Sequence, residues 1–116
     1  MSSLIEDEKR LREVIGSGGD TLVLFYASWC GFSRAFLPVY EKHACGENCY
    51  RVLTDKVAGA ETEHSIDFVP TVIFFSKGKK HYRLDGVPGE GLSEAMLLDF
   101  MQSCRSCKAP GKEGKK

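Results

Sequence analysis

The sequence predicts an α/β fold: a central, mixed, four-stranded sheet with helices packed on both faces. Three observations carry this. Thr21-Leu22-Val23-Leu24-Phe25-Tyr26 is a short continuous run of strand-favouring apolar residues, the pattern of a buried strand. Directly after it, Phe32, Ala35, Phe36, Val39 and Tyr40 recur at helical spacing. The remaining segments complete the order αβαβαββα, whose stable arrangement is a sheet between two helical layers.

Taken in order, Ser3-Leu4-Ile5-Glu6 fits a capping box, and Leu4, Leu11, Val14 and Ile15 trace one face of a first helix. Gly16-Ser17-Gly18-Gly19-Asp20 closes it as a turn. The strand over 21–26 follows, and the second helix opens at or just after Cys30. Pro38 removes an i→i−4 hydrogen bond inside that helix, which should bend near residue 34 or 35 and end around Ala44. Cys45-Gly46-Glu47-Asn48-Cys49 reads as a loop, 50–55 as a parallel strand, and 61–65 as a short helix. Val69-Pro70 opens another strand, where proline is tolerated at the first position. Ser76-Lys77-Gly78-Lys79 is a hairpin turn into a return strand over 80–84, and 92–101 is a final amphipathic helix. The expected organisation is one domain over 1–107 and a basic, disordered tail over 108–116, rich in Pro, Gly, Lys and Glu.

A chain of 116 residues can build one core without disulfide staples. Lys plus Arg and Asp plus Glu both number 16, so no overall field invites nucleic acid or a membrane surface. No stretch approaches the ~20 apolar residues of a membrane span. The first twelve residues are charged and lack the apolar core of a signal peptide, so the expectation is a cytoplasmic monomer. An excised mature domain from a secretory compartment is the alternative.

The chemistry centres on Trp29-Cys30-Gly31-Phe32-Ser33. A cysteine where a strand ends and a helix begins meets unpaired backbone N–H groups and the positive end of the helix dipole, which favour thiolate over thiol. Arg34, one turn on, adds a cation that pushes the same way. The competing reading is an inert buried thiol acting as a small hydrophobe. Its position and the uncrowded Gly31 beside it favour a reactive Cys30. Five cysteines is an odd number, so one stays unpaired in a monomer, and Cys30 is the candidate.

Phe25-Tyr26-Ala27-Ser28-Trp29-Cys30-Gly31 resembles the active-site approach of the thioredoxin and protein disulfide isomerase family. Pro38 matches that family's helix-kinking proline, Val69-Pro70-Thr71 its cis-proline segment, and Gly86 its glycine near the end of the last strand. The likeness runs from residue 4 to about 103 and implies a thioredoxin-like three-layer α/β/α sandwich. It also implies a client groove around Cys30, bordered by Trp29, Phe32, Val69 and Pro70. There the residue before the proline pairs its backbone with an extended peptide.

Two departures shape the expected chemistry. Ser33 stands where the family has a second cysteine, and Leu24 where it has the buried acid that deprotonates that cysteine. A serine cannot resolve a mixed disulfide, so the expectation is monothiol exchange. Cys30 is the nucleophile, and Ser33 donates a hydrogen bond to its thiolate. The partners are client proteins with cysteines or disulfides, or glutathione as an exchange partner, with no resident cofactor. Cys-Gly-Phe-Ser-Arg is also the motif of monothiol glutaredoxins, which share a [2Fe–2S] cluster with glutathione. Their lysine before the cysteine, Thr-Val-Pro segment and Gly-Gly-x-Asp turn have no match in Tyr26-Ala27-Ser28-Trp29, Phe68-Val69-Pro70 or Leu84-Asp85-Gly86-Val87. A third alternative is a binding adaptor whose thiol is vestigial.

Cys45 and Cys49 are spaced C-x₃-C, and Cys104 and Cys107 C-x₂-C. The far ends of the second and last helices should bring these pairs together, away from Cys30. Zinc, a disulfide and reduced thiols are all compatible with the spacings. His43, His64 and His81 read as isolated surface or helix-end residues. Lys77, Lys79 and Lys80 read as a solvated hairpin tip.

Overall fold

A computed structural model describes residues 2–44, 48–57 and 59–108. The elements are β1 (Ser3–Ile5), α1 (Glu8–Gly16), β2 (Thr21–Tyr26), α2 (Gly31–His43), β3 (Cys49–Leu53), α3 (Ala60–Glu63), β4 (Thr71–Ser76), β5 (Lys79–Leu84) and α4 (Glu94–Lys108). The expected tail lies outside the described residues, save Lys108.

Five strands, not four, form the sheet, in the order β1-β3-β2-β4-β5. The extra strand is the segment that the capping-box pattern assigns to a helix start. Ser3, Leu4 and Ile5 instead pair in parallel with Tyr50, Arg51 and Val52. Ile5 is buried while Leu4 faces outward, the alternation of a half-buried strand. The true N-cap of α1 is Asp7, whose carboxylate accepts the Arg10 N–H at 2.7 Å. Leu11 and Val14 then turn inward, as their spacing predicts.

β2 is central and buried throughout, parallel to β3 and antiparallel to β4. Its alternation divides the core. Val23 and Phe25 join Ile5, Leu11, Val14, Val52, Val57, Ile73 and Phe75 on the α1/α3 face. Leu22, Leu24 and Tyr26 join Phe36, Tyr40, Val72, Phe74, Leu97 and Phe100 on the α2/α4 face. Tyr40 anchors α2 by donating from its hydroxyl to the carbonyls of Tyr50 (2.7 Å) and Leu22 (3.2 Å). β5 is the outermost strand beyond β4, with a register irregularity between Phe74 and Phe75. Its first residues, Lys79 and Lys80, are exposed.

The far end of α2 meets the first turn of α4. Lys42 lies 3.5 Å and His43 2.6 Å from the Glu94 carboxylate. A carboxylate at a helix start facing cations at a helix end suits both helix dipoles. Cys104 is buried in the α2/α4 layer, and Cys49 packs against that layer half-buried. Cys45 and the side chains of Cys107 and His81 lie outside the described residues. His64 is at a helix end, as the C-cap of α3, but not at the surface. It is buried between Phe25 and Phe75, with ring centroids 5.4 and 5.6 Å away.

Candidate active site

β2 ends at Tyr26 and α2 begins at Gly31, so the intervening loop lies over the edge of the sheet with Cys30 as the N-cap of α2. Cys30 has extended backbone (φ −95, ψ 123), and its carbonyl accepts the first helical bond from Arg34 N at 3.0 Å. Its side chain is a half-exposed free thiol at the end of the helix whose leading N–H groups lack intrahelical acceptors. Sγ donates to the Val69 carbonyl at 3.7 Å.

The loop before Cys30 is held from two sides. The Ser28 hydroxyl and N–H donate to the Asp55 carboxylate at 2.6 and 3.1 Å. These two bonds hold the Asp55 pKa below the usual carboxylate range. Arg34 Nη1 donates to the Ser28 carbonyl at 3.0 Å, so this cation braces the loop rather than pairing with the sulfur.

Ser33 is fully buried one turn into α2. Its Oγ accepts the Ala27 N–H at 3.2 Å, satisfying a backbone donor left where β2 ends. The expected Ser33–Cys30 hydrogen bond is not made in this structure, because Sγ turns to Val69 instead. Leu24 is fully buried within the hydrophobic cluster of the α2/α4 layer, where the resemblance would put an acid.

The facing wall is the segment entering β4. The Val69–Pro70 bond is cis. Thr71 Oγ1 donates to the Phe68 carbonyl at 2.6 Å, tying this bend to itself. Gly86 lies so close beneath it that a Cβ there would stand 2.7 Å from the Pro70 carbonyl oxygen. Gly91 (φ +75) similarly backs Phe32, where a Cβ would stand 2.8 Å from the Phe32 Cβ. Cys30, Val69 and Pro70 are thus brought together. Trp29 (68%) and Phe32 (44%) stay largely exposed, as does Phe68 (49%), which sequence reasoning missed. The signal for Phe68 was its place beside Val69-Pro70; a lone aromatic before a strand otherwise reads as core.

A three-layer sandwich with a helix-capping cysteine beside a cis-proline turn agrees with the comparisons. The thioredoxin family model matches residues 3–102. The chain belongs to the thioredoxin family. Among its relatives, a chloroplastic M-type thioredoxin of Pisum sativum is 38% identical over 86 residues, covering 70% of this chain and 50% of that protein. A thioredoxin of Mycoplasmoides gallisepticum is 29% identical over 96 residues, covering 79% of this chain and 96% of that one. The chain spans about half the length of several curated relatives it matches. The crystal structure of Malassezia sympodialis thioredoxin superposes with a TM-score of 0.74 at 25% identity, covering 89% of this chain and 90% of that one. Within this thioredoxin domain no described helix is long and apolar enough to cross a membrane.

Proposed function

We propose that this thioredoxin-family chain is a monothiol exchange protein that captures client disulfides, or the disulfide of glutathione, through Cys30. One observation carries the reading. A free, accessible cysteine caps α2 beside the Val69 backbone, while Ser33, buried and bonded to Ala27, occupies the place of a resolving thiol. The Cys30 sulfur attacks one sulfur of a client disulfide. A Cys30–client disulfide forms and the client's own S–S bond breaks. The departing thiolate takes up the proton that Cys30 gives to solvent. Release requires attack by an external thiol, because Ser33 supplies no electrons for a second exchange.

Trapping tests this. The wild type should form a mixed disulfide with glutathione disulfide or a disulfide-blocked cysteine peptide near neutral pH, located on the Cys30 tryptic fragment by mass spectrometry. Cys30→Ala should lose that adduct while keeping its fold. An adduct at Cys30 no faster than at Cys49 or Cys104 would overturn the assignment.

A further inference from the structure

A polar cluster outside the loop at Cys30 is built on Arg83 of β5. Its guanidinium donates from Nη1 to the His64 carbonyl at 2.9 Å and from Nη2 to the Ser65 carbonyl at 3.1 Å. The same group forks onto Asp85, through Nε at 3.0 Å and Nη2 at 2.6 Å. Charge-assisted bonds from a planar fork are the strong, directional class, and a lysine cannot reproduce them.

The target of this clamp is the start of the wall facing Cys30. Ser65 is in the left-handed region (φ 54), an unusual state for a residue with a side chain, and reverses the chain after α3. The amide side of this turn is held by Ile66 N donating to the Glu61 carbonyl at 2.7 Å, and Arg83 holds its carbonyl side. At the other end of the wall, Gly86, next to Asp85, lies against Pro70. The segment 66–70 is therefore bracketed on both sides by residues 83–86. Between the brackets stand exposed Phe68 and Val69, whose carbonyl meets the Cys30 sulfur.

We propose that Arg83 is a positioning residue for client capture, fixing the height at which Phe68 and the Val69 backbone meet an extended peptide beside Cys30. The proposal rests on the exchange reading above and names its substrate class: extended peptides with an apolar side chain next to their cysteine. Such a peptide needs both the backbone edge and Phe68. Glutathione is too small to span them, so its exchange depends on Cys30 alone.

The experiment compares two disulfides with the same leaving group: glutathione blocked by thionitrobenzoate, and a short phenylalanine-flanked cysteine peptide blocked the same way. Release of thionitrobenzoate gives the rate, and mass spectrometry confirms the adduct on Cys30. Arg83→Gln should slow the peptide about tenfold and change glutathione by less than about twofold. Phe68→Ala should show the same split. Should Arg83→Gln fail to fold, Arg83→Lys, which keeps the charge without the fork, should give a smaller split of the same sign. Equal slowing of both substrates, or an unchanged peptide rate, overturns the positioning role. A wild type that reacts with neither overturns the exchange reading and this proposal with it, which separates the two failures.

Discussion

The Cys30 sulfur and the Val69 carbonyl oxygen lie 3.7 Å apart across 39 residues of sequence. The thiol and the backbone before Pro70 therefore adjoin, and Trp29, Phe32 and Phe68 stand exposed rather than packed into the core. Trp29 is 68% exposed and carries little of the core. Trp29→Ala should lower peptide capture about tenfold while changing unfolding free energy by less than about 0.5 kcal/mol. Parallel capture kinetics and urea titrations check this. Equal capture by the variant would argue against an apolar groove.

Ser33→Cys restores the second thiol of the dithiol pattern. The variant should gain insulin-reducing turnover that the parent lacks. It should also lose about 1 kcal/mol of stability, because Ala27 N–H gives up its hydroxyl acceptor. Strong insulin reduction by the parent would show that its exchange chemistry needs no partner at this position.

Leu24→Asp adds the other missing family feature, and here it should be harmful. Leu24 is fully buried in the cluster that holds Phe36, Val72 and Leu97. An unpaired carboxylate there should cost at least about 3 kcal/mol, seen as a large fall in the denaturation midpoint.

Gly91→Ala forces a side chain into a left-handed residue and against Phe32. The expected loss is about 1–3 kcal/mol, read from denaturant titration with an unchanged m-value.

His64 gives the chain an acid-side stability dependence. Burial lowers its pKa, with Lys80 and Arg83 acting in the same direction and Glu63 opposing. Its Nδ1 has no hydrogen-bond partner among the described residues. The folded state thus prefers the neutral ring, while the unfolded chain protonates near the ordinary value of ~6.5. Stability is complete above that pH and falls as pH drops from there toward the lowered folded value. Denaturation midpoints measured across this window should fall for the parent and fall less for His64→Phe. Asp55 and Glu94, whose pKa values are lowered by Ser28 and by His43 with Lys42, act in a separate, more acidic window. Their contribution is present above the ordinary carboxylate range and is lost as pH falls through their depressed folded values.

The central strand, the helix after Cys30, the β4–β5 hairpin and the pairing of Cys30 with Val69-Pro70 were legible because they rest on local runs and on a motif. β1 was misread because Ser3 and Glu6 mimic a cap, and three residues are too few to show a period against it. Asp7 is the competing cap that won. The helix-end place of His64 was legible but its burial was not, because Phe25 and Phe75, which pack on it, are distant in sequence. The clamp role of Arg83 was invisible for the same reason: its carbonyl partners are 18 and 19 residues away, and only Asp85 is local. The Ser33 bond to Ala27 depends on how tightly the loop after β2 closes, which residue types alone do not fix.

The border of the sheet at β5 also bears on how the molecule behaves in company. Lys79 and Lys80 stand exposed on this last strand, next to the kink in register at Phe74 and Phe75. Positive charge and broken regularity both discourage a second chain from zipping onto such a rim. The β5 rim is thereby a poor template for strand addition by a second copy of the chain.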